Sequence, residues 1–142
     1  MKLHKTEIAK LQIDTAIDLF LKNTDFVSAL TLAGAGEEIT GKLLERKGEK
    51  SLLQKLHDWY VKTKEEKVGY GEFARNANEI RNALKHASNE KEDELEIQRW
   101  QTIQMIMRAM TNWQQLVGEP SEKMKEMARW IAENKGKYEN ME

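Results

Sequence analysis

The chain contains no cysteine, which excludes disulfide bridges and thiolate metal sites. It has one proline in 142 residues, so its helices lack their commonest interruption. The three histidines, His4, His57 and His86, are scattered, and no two have the spacing of a helical metal site. No metal and no cofactor are therefore expected. The net charge of −1 provides no global attraction to nucleic acid or to anionic membranes, so any RNA site has to be a local patch. No apolar run approaches the roughly 20 residues of a membrane-spanning helix, and the first residues lack the apolar core of a signal peptide. A cytoplasmic protein without membrane contact is the expectation.

What is present favours helices. Leu, Glu, Lys, Gln, Met and Ala are abundant, and β-branched runs are few. Hydrophobic residues make up 39% and charged residues 33%, enough apolar material for a core in a well-solvated chain. The length suits one domain over residues 1–142. Its core is expected at about 5–118, with a C-terminal helix at about 121–135 and a frayed tail after Gly136. Ile8, Leu11, Ile13, Ala16, Ile17, Phe20 and Leu21 give a first helix from Lys5 to Lys22. Asp25 caps a second, to Arg46, whose stripe is Ala29, Leu32, Gly36, Ile39 and Leu43, widened by Val27, Leu30 and Leu44. Two glycines in its small-residue middle cost helix stability and predict a closely packed neighbour. Ser51 and Gln54 form a capping box for a third helix, to Glu66, with Leu52, Leu53, Leu56, Trp59 and Tyr60 apolar. A fourth helix is expected from Glu72 to Lys85, then a charged loop. The fifth, Leu95 to Leu116, carries Trp100, Ile103, Met107 and Met110 on one line, with Ile106, Trp113 and Val117 beside it. Such a Met and Trp stripe predicts core or dimer surface. Ser121 caps the sixth helix, with Met124, Met127, Ala128 and Ile131 inward and Trp130 free for a partner. The reading is an all-α bundle of five to six helices.

Gly36-Glu-Glu-Ile-Thr-Gly41-Lys42-Leu43 matches part of a phosphate-binding P-loop. That loop needs a preceding strand and a Ser or Thr after the Lys. Leu43 stands there instead, two Glu occupy the phosphate approach, and no βαβ pattern follows, so an NTPase is rejected.

The informative stretch runs from Phe73 to His86. Phe73, Ala77, Ile80 and Leu84 fall on one side of a helix. Arg75, Asn78, Asn82 and His86 fall opposite, with Arg81 at the flank. A fixed cation, amides and a group that titrates near neutrality suit a phosphodiester. The plain alternative is a polar helix side whose terminal His caps carbonyls and favours the macrodipole.

Arg81-Asn82 followed by three residues and His86, late in a helix of a small all-α chain, resembles the signature of the HEPN family. The small-residue helix with Glu38 and Lys42 is similar to another part of that family. The resemblance covers most of Leu11 to Gly118 and implies a HEPN-like four-helix core and a homodimer that brings two motifs into one cleft. It further implies a metal-independent endoribonuclease, a toxin or defence component with RNA as substrate and a separately encoded partner protein. Carried onto this chain, His86 is the general acid or base, Arg81 the phosphate-binding cation and Asn82 a positioning group. Glu38 would orient Arg81 or His86, with Arg75 and Asn78 in support. The ribose 2′-hydroxyl would attack to leave a 2′,3′-cyclic phosphate and a 5′-hydroxyl. Two features pull the other way. Five acids between Asn89 and Glu96 (Glu90, Glu92, Asp93, Glu94 and Glu96) repel phosphate, and Ser88 stands where a toxin subgroup has Tyr. The family also includes members that only bind RNA, a nucleotide or a protein, and that reading stays open.

Overall fold

Helix starts in this chain are set by side-chain acceptors. In the computed structural model, which describes residues 1–137, His4 caps α1 (Lys5–Leu21) in a reciprocal box with Glu7. Asp25 caps α2 (Phe26–Arg46), accepting from the Ser28 N–H at 2.9 Å. Ser51 opens α3 (Leu52–Lys64) through the expected box with Gln54. Next come α4 (Tyr70–Ala77), α5 (Glu79–Ala83) and a single 3-10 turn at Glu90–Glu92. The last elements are α6 (Arg99–Val117) and α7 (Glu122–Glu133), the latter capped by Ser121. The described residues are all-helical, with no strand among them, and no helix in them is long and apolar enough to cross a membrane. The supposed P-loop segment lies inside continuous α2. Apart from residue 137, the expected frayed tail lies outside the described residues.

The core sits where α2 packs against both α1 and α6. Ile13, Ile17, Phe20, Leu30, Ile103, Ile106 and Trp113 meet there, and α7 closes it with Met124 and Met127. Gly36 permits the close approach of α1, since a Cβ there would lie 2.5 Å from Ile13 Cγ1 and 3.3 Å from the Ala9 carbonyl. Trp130 is half-buried and packs edge-on against Phe20, ring centroids 5.0 Å apart. Ala128 is exposed rather than inward.

Several expected faces are shifted. In α6 the buried residues are Thr102, Ile103, Met105, Ile106, Ala109, Asn112 and Trp113, while Met107 and Val117 face solvent. Only Leu53 of α3 is buried, and Leu56 and Trp59 are exposed. Leu11 of α1 is exposed as well. In α2 the buried face holds Ala29, Leu30, Gly36 and Leu44, as expected, and extends through Ala33, Gly34, Glu37, Thr40 and Gly41. The bulky Leu32, Ile39 and Leu43 lie at its edges. A face of small residues lets side chains from other elements cross α2, and this is what builds the site.

The expected fourth helix is two helices. It breaks at Asn78 (φ −110°, ψ 11°) because α6 competes for its polar groups. Arg108 donates to the Ala77 carbonyl at 3.2 Å and to Asn78 Oδ1 at 2.8 Å, and Asn is a poor interior helix residue. Consequently Phe73 joins His57 and Tyr60 of α3, Ile80 and Leu84 reach the main core, and Ala77 is exposed.

Candidate functional site

Glu37 is the centre of a buried polar cluster. Arg81 Nη1 donates to its Oε2 at 3.3 Å, and Arg108 Nη2 donates to its Oε1 at 2.8 Å. Three elements are tied here: α2 supplies the carboxylate, α5 one guanidinium and α6 the other. Asn112, one turn after Arg108, is fully buried and donates to the Glu37 backbone carbonyl at 3.3 Å. Its Oδ1 accepts from the Leu52 N–H at 2.8 Å, so the start of α3 is bound to the same cluster. The Arg81 stem lies directly over Gly34, where a Cβ would fall 2.5 Å from Arg81 Cδ and 2.7 Å from Cγ. Gly34 is therefore the passage through which Arg81 reaches Glu37.

The motif residues separate into two groups. Arg81 is only 8% exposed, Asn78 is buried, and Asn82 is half-buried with its Oδ1 accepting from Arg81 Nη2 at 3.4 Å. Glu38 is half-exposed, its carboxylate 3.9 Å from Arg81, so it is a peripheral neighbour and Glu37 is the carboxylate that orients the guanidinium. Arg75 and His86 lie outside the cluster on the exposed surface. His86 follows the end of α5 in an irregular segment and enters no hydrogen bond or ion pair among the described residues. Arg75, Asn78, Asn82 and His86 do not share a single polar helix side, because the helix breaks at Asn78 and His86 lies past the end of α5.

Glu37, Arg108 and Asn112 were the residues that sequence reasoning missed. Two signals were available. Glu37 is the one carboxylate in a small-residue stripe, three positions after Gly34 and four before Gly41. Arg108 is the one charged residue between Trp100 and Val117.

Two cavities flank Arg81. One, about 180 Å³, is lined by Glu38, Lys42, Ser51 and Tyr70 among others. Burial pushes the Tyr70 hydroxyl above its ordinary pKa, with nearby Glu45 and Glu37 adding to the rise and a hydrogen bond with Ser51 opposing it. Lys42 is committed to Glu45, whose hydrogen bond raises its pKa. The other cavity, about 260 Å³, is lined by both Arg81 and Arg108. Among the described residues no group of three His, Asp or Glu side chains is placed to hold a metal ion.

No family model, curated protein or solved structure matches the chain. The chemistry of the site therefore has to be read from its own geometry. Each Glu37 oxygen is engaged by a guanidinium, and the Arg81 side chain is 9% exposed.

Proposed function

We propose that this chain is a HEPN-like helical module that acts by binding, with Arg81 belonging to its framework. The observation that carries this reading is the position of Arg81. Its stem lies over Gly34, and its guanidinium is withdrawn from solvent and bonded to a buried carboxylate that a second arginine also holds. Separating a buried ion pair leaves an uncompensated charge and costs about 3–5 kcal/mol, so Arg81 is poorly placed to swing out to RNA. The acids from Glu90 to Glu96 on the neighbouring loop add repulsion toward a polyanion.

A second reading, the dimeric endoribonuclease, is favoured by His86. That side chain is exposed and has no hydrogen-bond or ion-pair partner among the described residues, with exposed Lys85 beside it, and two copies facing each other would offer an acid and a base to one phosphodiester. The deciding experiment is incubation of a labelled structured RNA in EDTA at neutral pH with the wild type and with His86→Ala. The binding reading predicts no cleavage by either protein. Cleavage by the wild type with cyclic-phosphate ends, lost in His86→Ala, would overturn it and establish the ribonuclease.

A further inference from the structure

α6 packs mainly on α2 and α7 on α1, and the two helices leave a groove between them. Joined by the short turn at 118–121, they run antiparallel. Met107 and Met110 of α6 face Met124, Ala128 and Ile131 of α7 across a space of about 640 Å³. Small-molecule sites run from about 300 to 1,000 Å³, and methionine adapts its shape readily to an apolar guest. The charge in this groove is confined to one end. Its two ionisable lining residues, Lys55 and Lys125, stand near the turn, where Lys55 Nζ donates to Gln115 Oε1 at 2.8 Å. That acceptor is neutral, so the Lys55 charge has no ion-pair partner among the described residues. Lys125 meets only Glu122, at 2.9 Å, through a carboxylate that is 84% exposed, and exposed pairs of that kind are weak. Among the described residues no acid lines the groove.

From this we infer that the groove binds an unbranched aliphatic chain with one anionic head, the head at Lys55 and Lys125 and the chain along the methionines. From Gln114 to Met107 α6 advances about 10 Å, which suits a chain of medium length. Each ammonium has three donors and Lys55 spends one on Gln115, so a carboxylate can accept from both lysines. An acidic helix from a partner protein is a poorer fit. Such a helix lays its length in a groove and needs cations spread along it, whereas these two stand together at one end.

The inference gives the binding reading above a ligand class and is tested apart from it, since no motif residue lines the groove. The full chain, labelled with ¹³C at its methionine methyls, is titrated with octanoate, hexanoate and octanol below their aggregation concentrations. Saturable shifts are expected at Met107, Met110 and Met124, with Met105, buried in the core and outside the groove, as internal control. Octanoate should bind about two- to fourfold more tightly than hexanoate for each added methylene. It should bind roughly fivefold or more above octanol, whose head is neutral. Ala128→Glu puts a like charge in the groove and should weaken octanoate roughly tenfold or more, while Lys55→Gln should bring octanoate toward the affinity of octanol. Both positions are exposed, so both variants are expected to fold, and an unchanged Met105 signal checks it. Octanol binding as tightly as octanoate, equal shifts at Met105, or unchanged affinity in Ala128→Glu would each overturn the site. Shifts that follow protein concentration without ligand would give the groove to a second copy, and an acidic amphipathic peptide that binds where octanoate does not would give it to a protein. Either result overturns the inference. A chain that cleaves RNA yet binds octanoate loses the binding-only reading and keeps the groove site. One that neither cleaves RNA nor binds octanoate keeps the reading and loses the site.

Discussion

Arg81 meets Glu37 across 44 positions of sequence, its Nη1 donating to the carboxylate at 3.3 Å with the two side chains 9% and 6% exposed. The contact joins a helix of five residues, too short to be stable alone, to the longest helix of the fold. It therefore fixes where the chain leaves α5 and where Lys85 and His86 emerge. The residue that the family resemblance makes a phosphate-binding cation is paired here with a buried carboxylate.

Adjacent acids in α2 are expected to behave very differently. Glu37→Gln leaves two buried guanidinium groups without their carboxylate and should lower stability by about 3–5 kcal/mol. Glu38→Gln removes a half-exposed, distant neighbour and should change it by less than about 1 kcal/mol. Urea unfolding of the two variants checks this, and equal losses would contradict the assignment of Glu37 as the partner.

Gly34→Ala should destabilise, although in an open helix the same change would stabilise by about 1 kcal/mol. The new Cβ meets the Arg81 stem rather than a free side-chain end, and overpacking of this kind costs about 1–3 kcal/mol. Thermal unfolding reads the sign directly.

Asn112→Leu should cost about 1–3 kcal/mol, because the part-buried Leu52 N–H and the buried Glu37 carbonyl both lose a partner. Amide exchange at Leu52 should accelerate in the variant more than exchange in α1 does.

Acid should loosen α7 through Asp18. Its carboxyl is held below its ordinary value of 3.8, chiefly by the Lys123 hydrogen bond that ties α1 to α7, with burial opposing. A depressed folded pKa means that this stabilisation is complete above the unfolded value and is lost as pH falls through the folded one. Thermal midpoints of the wild type should thus drop below about pH 4 more than those of Asp18→Asn. Parallel curves for the two proteins would contradict the linkage.

The sequence made the helices themselves legible, because caps and stops are local: Asp25, Ser51 with Gln54, and Ser121 act as read. The break at Asn78 was not legible, since it depends on Arg108 from a helix thirty positions later. The start of α6 lies at Arg99 and not near Leu95, with the Gln101 side chain accepting from the Gln98 N–H at 2.8 Å where a Ser, Thr, Asp or Asn cap is usual. The buried face of α2 was legible at Ala29, Leu30, Gly36 and Leu44 and missed at Ala33, Gly34, Glu37, Thr40 and Gly41, which are small or polar, while Leu32, Ile39 and Leu43 sit at its edges. A search for apolar periodicity follows the leucines. The candidate site was half legible for the same reason: Arg81, Asn78 and Asn82 are in it, His86 and Arg75 are not, and Glu37 was passed over for Glu38.

The central claim is that the motif is divided between interior and surface, and equilibrium unfolding of Arg81→Ala beside His86→Ala tests it most directly. The account predicts a loss of about 3–5 kcal/mol for Arg81→Ala and a change within about 0.5 kcal/mol for His86→Ala. Wild-type stability in Arg81→Ala would contradict it, because the guanidinium would then be free of the framework and available to a substrate.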